Sequence, residues 1–516
     1  MGFTYPAAPM QSSRADRPSL GWLAPLAVGL VVVTGIGFRL HARSDLWLDE
    51  ALTVNISKLP VGQLLKQLRH DGHPPLYYLL LHGWMKVFGS GDEAVRLLSG
   101  LFGLLTIPLF WVAARRYGGR DTAVAGLVLL STSPFAVRYS TEARMYSLVI
   151  LLVVAGWLAV RWALDDPRLG RLATVAVLSG ALALTHYWAF YLLAALGVVL
   201  LIQWRRGNPA ALAVALAIVA GGVLFVPWLP SFLAQAKHTG TPWGRPVTPA
   251  TMLAVTFSDF GGGAKGEAQM LGVLLVLLLL FGVLGRALDR FRVELDLRTH
   301  PHARAEVLLV IGTFALACLA SYASQAAFAS RYTAVVLPLV LLVAAFGVTM
   351  LMDPRLRAAL LVVVAVLGLI GTVRGWHEQR TQGGQIGRYI TVNGKPGDVI
   401  GFCPDQLGPS TLRYVPADRQ GLAFPKATDA HLVDWVDYAK RNEAGDPKAF
   451  AALLDKDAGQ HTVWIVWAPG YRTLDIKCEL LADAEKQLRP GGTPVVVQAA
   501  TFEHAWLYQY GPVPPR

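Results

Sequence analysis

The chain has 516 residues, of which 54% are hydrophobic and 16% charged. A soluble globular protein carries about 25% charged residues, so this composition excludes an ordinary soluble enzyme and equally a disordered chain. The net charge of +12 lies mostly in arginines grouped between apolar runs. That is the pattern of cytoplasmic membrane loops rather than of a nucleic-acid surface.

In chain order, residues 1–20 read as a cytoplasmic tail. Arg14 and Arg17 precede the apolar run Gly21 to Gly37 without a small-residue cleavage site, which predicts a first spanning helix rather than a removed signal peptide. A span needs about 20 mostly apolar residues, and about eleven segments meet that requirement. They lie near 21–40, 94–114, 121–139, 145–164, 171–186, 187–204, 209–229, 269–287, 304–322, 332–351 and 357–375. If they alternate, the clusters at Arg115–Arg120, Arg168–Arg171, Arg205–Arg206, Arg286–Arg304 and Arg355–Arg357 all fall on one side. The positive-inside rule makes that side the cytoplasm and places the C-terminus outside. The segment His73–Gly89 is apolar but short, and as a span it would invert every later cluster. It reads instead as a helix in the outer interface, within a first outer loop of residues 41–93.

Residues 377–516 regain glycine, proline and charge. GDVIGF, TVWIVWA and TPVVVQAA read as buried strands, and HLVDWVDYAKRN and LADAEKQLR as helices. The expected fold class is therefore an α-helical polytopic membrane domain over residues 21–376, followed by a small extracytoplasmic α/β domain. Cys318, Cys403 and Cys478 form no zinc-finger spacing. Cys403 and Cys478 are either a disulfide or two unrelated thiols. No GxGxxG loop marks a nucleotide site.

Charged and hydrogen-bonding residues collect in five outer loops: Asp45, Asp49, Glu50, Asp71 and His73; Arg138, Glu142 and Arg144; His186 and Tyr187; Lys237, His238, Arg245 and Lys265; and Ser330, Arg331 and Tyr332. Ionisable groups at a membrane edge pair with one another or serve a ligand. Asp49-Glu50, after Leu46-Trp47-Leu48, suits a general base with an electrostatic neighbour, or simply a solvated acidic pair at a helix start. Arg138, Arg144 and Arg331 suit a phosphate, or pairing with Glu142. Asp49, Asp71 and His73 are the candidate ligands for a divalent cation, on a spacing that matches no defined motif. A transporter or flippase is the competing reading, but transporters gather their polar groups at the midplane.

The stretches WLDEALTVNIS, DGHPPLYYLLLHGWMKVFG, EAVRLLSGLFGLLTIPLFWVAARRYGG, RYSTEARMYSL and SRYTAVVLPLVLL, within residues 40–350, resemble the polytopic GT-C glycosyltransferases. The likeness is to the glycosyltransferase family 39 and protein-mannosyltransferase-like group, whose bacterial members include membrane-bound mannosyltransferases. The resemblance implies a sugar, mannose or another hexose or pentose, taken from a polyprenyl-phosphate carrier on the outer membrane face. The acceptor would be a glycan, lipid or protein. It makes Asp49 the base and matches Glu50 to the second acidic position. Several relatives carry Lys before the Pro-Pro pair, where this chain has His73. With Arg138, Arg144 and Arg331, His73 is a candidate contact for the lipid phosphate. Asp71, Glu142, Tyr146, His186 and Tyr332 are candidate substrate contacts.

Overall fold

The computed structural model describes residues 23–241, 244, 246–324 and 327–512. The proposed N-terminal tail, with Arg14 and Arg17, and Arg245 lie outside the described residues. The membrane part begins with α1 (Leu23–Arg39), followed by three short helices, α2 (Leu48–Lys58), α3 (Val61–Asp71) and α4 (Leu76–Phe88). Next come α5 (Asp92–Thr132), α6 (Pro134–Ser140), α7 (Tyr146–Asp165), α8 (Leu169–Ala183), α9 (Ala189–Arg205), α10 (Pro209–Gly221), α11 (Leu229–His238), α12 (Pro249–Phe260) and α13 (Gly266–Leu284). A small hairpin, β1 (Gly285–Ala287) with β2 (Val293–Leu295), leads to α14 (Arg304–Ser324), α15 (Leu337–Thr349) and α16 (Pro354–His377).

Six described helical stretches are apolar and long enough to cross a membrane, and four shorter ones are apolar. The 41-residue α5 contains the segment expected at 94–114 and the first part of that expected at 121–139, whose remainder forms α6. α5 is interrupted at Gly118 and Gly119, and Gly119 takes φ 83°, a conformation that costs any residue with a Cβ. The segment expected at 332–351 is shorter as a helix, because a 3₁₀ turn over Ser330–Val335 precedes α15. The segment expected at 209–229 is split by a 3₁₀ stretch, Gly222–Trp228, that contains Pro227.

At one end of the helix array the arginine-rich loops meet. Arg116 pairs with Asp165, Arg357 with Asp121 and Arg290 with Asp353. At the other end, the first loop segment lies against the C-terminal domain. Asp45 pairs with Arg388 at 2.7 Å, His70 with Asp434 at 2.9 Å and Asp92 with Arg413 at 2.6 Å. Arg413 also donates to the Ser90 carbonyl at 2.6 Å. Residues on both sides of the 13-residue α4, His70 and Ser90, thus meet the same domain.

That domain holds α17 (Gly383–Asn393), β3 (Val399–Cys403), α18 (Leu407–Leu412), β4 (Gln420–Ala423), β5 (Thr428–Asp429), α19 (Tyr438–Glu443), α20 (Pro447–Ala458), β6 (Val463–Trp467), α21 (Lys477–Leu488), β7 (Thr493–Val496) and β8 (Trp506–Tyr510). Its six-stranded sheet runs β5-β4-β3-β6-β8-β7. β3 is parallel to both β4 and β6, and every one of its five residues is buried. This is why GDVIGF reads as a continuous apolar run rather than an alternating one. The expected helix HLVDWVDYAKRN is helical only over Tyr438–Glu443. Asp434 folds back to accept from the Val436 N–H, and Asp437 takes φ 48°, so the first half is a turn. Cys403, at the end of β3, forms a disulfide with Cys478 on α21.

Candidate active site

Asp49 is the second residue of α2, where the helix N-terminus favours a carboxylate. Two segments distant in sequence converge on it. Nη2 of Arg144, in the turn before α7, lies 3.8 Å from Asp49 Oδ2, and Nη2 of Arg331, in the 3₁₀ turn before α15, lies 3.6 Å away. Among the described residues, Oδ2 itself accepts no hydrogen bond. The Arg331 guanidinium stands over the Trp47 ring at 5.7 Å and the Tyr332 ring at 5.8 Å.

Arg144 is held from several directions. Nη1 donates to Thr53 Oγ1 at 2.8 Å and to Tyr78 OH at 3.2 Å. Nη2 lies 3.0 Å from His73 Nε2. A guanidinium only donates, so Nε2 is the acceptor and the ring proton sits on Nδ1. From there it is donated to Asp71 Oδ2 at 2.9 Å. Tyr78 OH donates to the same oxygen at 2.6 Å. Burial pushes the Asp71 carboxyl up, but the interaction with His73, the Arg144 charge and the Tyr78 hydrogen bond outweigh it and hold Asp71 below its ordinary value. Asp71, His73, Arg144 and Asp49 thus form one chain of contacts. Gly72, at φ 83° in the αL C-cap of α3, turns the backbone so that His73 can enter it.

The other candidates divide. Glu50, next in sequence, points away from Asp49 and is fully buried. Arg96 grips it through Nε at 2.7 Å and Nη2 at 2.6 Å, and the Ala143 N–H donates to it at 2.9 Å. Arg138 is not brought into contact with Asp49. Its Nε lies 3.2 Å from Glu142 Oε1, and its Nη1 is 4.0 Å from Asp259. It lines a second pocket with Arg43, Arg96, Trp376 and Arg380. Glu142 also pairs with Arg380. Tyr146 and Tyr332 sandwich His186, with ring centroids 5.8 and 5.3 Å from it. His73 uses both ring nitrogens on protein partners. Among the described residues no group of three or more His, Cys, Asp or Glu side chains is placed to hold a metal ion, and the Arg144 guanidinium stands between His73 and Asp49.

The pocket over Asp49 and Arg331 has a second wall from the C-terminal domain: Gln406, Trp435, Tyr471, Phe502, Glu503 and His504. Glu503 Oε2 accepts the Leu48 N–H at 3.0 Å, and Oε1 accepts from Ser410 Oγ at 2.6 Å. Burial pushes the Glu503 carboxyl up to about 7 against these hydrogen bonds.

Over nearly its whole length the chain superposes on ArnT from Cupriavidus metallidurans in the apo state. The TM-score is 0.62 at 16% identity, covering 95% of this chain and 98% of that one. ArnT bound to undecaprenyl phosphate superposes with a TM-score of 0.58 at 15% identity and the same coverage. The fold is that of the polytopic GT-C glycosyltransferases. Residues 72–230 match the family model described as dolichyl-phosphate-mannose-protein mannosyltransferase. That match takes in His73, Arg138, Glu142, Arg144, Tyr146 and His186 and begins after Asp49. No curated protein matches the sequence.

Sequence reasoning missed Gln406, Trp435, Tyr471 and Glu503. They lie more than 350 residues beyond Asp49, and no local motif marks them. Asp259, which accepts from Ser330 Oγ at 2.8 Å beside Arg331, was likewise missed; it lies near the end of α12.

Proposed function

We propose that this chain is a membrane glycosyltransferase that moves a sugar, mannose or another hexose or pentose, from a polyprenyl-phosphate carrier to an acceptor hydroxyl on the outer face of a cell membrane. One observation carries this reading: the Asp49 carboxylate sits at a helix N-terminus between two guanidinium groups, with Oδ2 unbonded, in a pocket open to the C-terminal domain. The match to a mannosyltransferase family and the likeness to an ArnT that binds undecaprenyl phosphate support the class of donor.

In this reading the acceptor hydroxyl attacks the anomeric carbon and passes its proton to Asp49. The bond from that carbon to the phosphate oxygen breaks, and its electrons remain on the phosphate. Arg144 and Arg331 meet that growing charge with preorganised forks. A single displacement inverts the anomeric centre. A covalent intermediate would need a second carboxylate about 5 Å away to act as partner, and Glu50 is committed to Arg96 and Ala143. His73 orients Arg144 rather than touching phosphate. The arginine-rich loops face the cytoplasm, as does the N-terminus, and the C-terminal domain lies outside.

The test is sugar transfer by the purified protein in lipid nanodiscs, with radiolabelled polyprenyl-phosphate sugars. Asp49→Asn is expected to lose at least about 10²-fold in rate while still inserting and folding. Activity within about threefold of the unmodified protein would remove Asp49 as base.

A further inference from the structure

We infer that the C-terminal domain is a carbohydrate-binding domain, and that its crevice at the ends of β3 and β6 seats a sugar acceptor over Asp49. This rests on the reading of Asp49 as the base of a glycosyl transfer.

The first observation is topological. From β3 the chain moves to one side to form the parallel strand β4, then crosses to the other side to form the parallel strand β6. The order of the parallel strands therefore reverses between β3 and β6. In open α/β sheets the loops at the carboxyl ends of such a pair splay apart, and ligands bind in the crevice between them. Here those loops are Pro404–Leu407 after β3 and Ala468–Tyr471 after β6. Residues from both line the pocket that holds Asp49 and Arg331. The sheet's own binding crevice thus opens onto the carboxylate of the membrane domain.

The second observation is an unsatisfied amide. Gln406 is 94% buried, being 6% exposed. Its Nε2 donates to Tyr438 OH at 2.8 Å and to Tyr471 OH at 2.7 Å. Tyr438 OH in turn donates to Asp405 Oδ1 at 2.5 Å, so its oxygen is free to accept from Gln406. This network fixes the orientation of the amide and leaves Gln406 Oε1 buried with no partner among the described residues. A buried polar atom without a partner costs about 1–3 kcal/mol, and Gln406 is one of the residues that line the crevice.

The chemistry of the wall selects the ligand. Trp435 and Tyr471 offer aromatic surface, and Glu503 and His504 add polar edges. Arg331 is the only lysine or arginine among the described lining residues, and it is paired with Asp49. Away from Arg331, such a wall suits a neutral ring with apolar C–H faces and a rim of hydroxyls. A peptide adding to the sheet would need an edge strand, but the edges are β5 and β7, at opposite ends of the sheet from each other and outside the β3–β6 pair. A nucleotide would need a glycine-rich loop after the first strand, and that position holds Pro404-Asp405-Gln406, where proline also removes a backbone donor.

The experiment is saturation-transfer NMR on the full-length protein in nanodiscs. The probes are mannotriose, cellotriose, chitotriose and a serine- and threonine-containing octapeptide. At least one trisaccharide is expected to receive saturation, strongest at its ring C–H protons. Binding is expected to weaken about tenfold in Gln406→Leu, the equivalent of one lost hydrogen bond, and to weaken also in Trp435→Ala. Contact by the octapeptide alone, contact by none of the probes, or trisaccharide binding unchanged in both crevice variants would overturn the inference. If Gln406→Leu fails to fold, judged by loss of the Cys403–Cys478 disulfide on a non-reducing gel, Trp435→Ala decides. Active transfer by Asp49→Asn with trisaccharide binding lost in the crevice variants would sink the base assignment and leave the crevice standing.

Discussion

Glu503 of the C-terminal domain accepts the backbone N–H of Leu48, one residue before Asp49, at 3.0 Å. The first turn of α2 leaves its N–H groups without helical partners, and here a carboxylate from another domain takes one of them. The position of Asp49 therefore depends on a residue more than 450 positions away.

Because burial raises Glu503 to about 7, the link titrates near neutrality. The ionised carboxylate is the stronger acceptor for the Leu48 N–H. The rate of transfer is expected to rise with pH through about 7 and to lose that inflection in Glu503→Gln. Stability moves the opposite way. The folded state holds this proton above the ordinary carboxyl value, so the contribution is full below about 4.5 and is lost as pH rises to about 7. Melting temperatures and pH–rate profiles of the two proteins, measured from pH 4.5 to 8.5, check both signs.

Arg144 reaches Asp49, Thr53, Tyr78 and His73 with one planar fork. Lysine keeps the charge but cannot keep that geometry. Arg144→Lys is expected to cost about 10²-fold in kcat with a smaller change in donor KM. His73→Gln, which leaves an acceptor for the guanidinium, is expected to cost less than His73→Leu. Steady-state kinetics on the three variants decide the order, and equal losses for the two His73 variants would refute the orienting role.

The Glu50–Arg96 pair is buried and bidentate. Removing one partner strands a charge, so Arg96→Leu is expected to destabilise by about 3–5 kcal/mol. Arg96→Leu combined with Glu50→Met is expected to recover part of that loss. Thermal unfolding in detergent measures it, and a double variant no more stable than the single one would count against a charge-pairing role.

Ser90 and the C-terminal domain meet through Arg413. A cysteine placed at Ser90 is expected to be labelled only from the outer side, together with one placed at exposed Lys456. A cysteine at Arg205 should label only from the cytoplasm. Labelling of Ser90→Cys from the cytoplasm would reverse the proposed orientation.

The membrane character, the apolar helices and the buried strands GDVIGF and TVWIVWA were legible in the sequence, whereas TPVVVQAA, expected to be buried, forms only the edge strand β7 with Val496 alone buried. Each legible feature is a local property: burial in lipid or in a sheet core demands apolar residues at a fixed spacing. Asp49, Arg144 and Arg331 were legible as candidates because charge at the edge of an apolar segment is unusual wherever the chain folds. What local sequence does not encode is direction. Asp49 and Glu50 are chemically alike and adjacent, yet successive helical residues point to different faces, and only the packing of Arg96 and Ala143 against one face turned Glu50 inward. Arg138 resembles Arg144 in type and position, but Glu142 and Asp259 draw it into the neighbouring pocket. The turn at Asp434 and Asp437 interrupted an apolar pattern that reads as a helix. Gln406 and Glu503 became part of the site only when the C-terminal sheet set its crevice over α2. Long-range contacts of that kind arise from the docking of two surfaces, a property of the folded shape that no spacing of residues along the chain records.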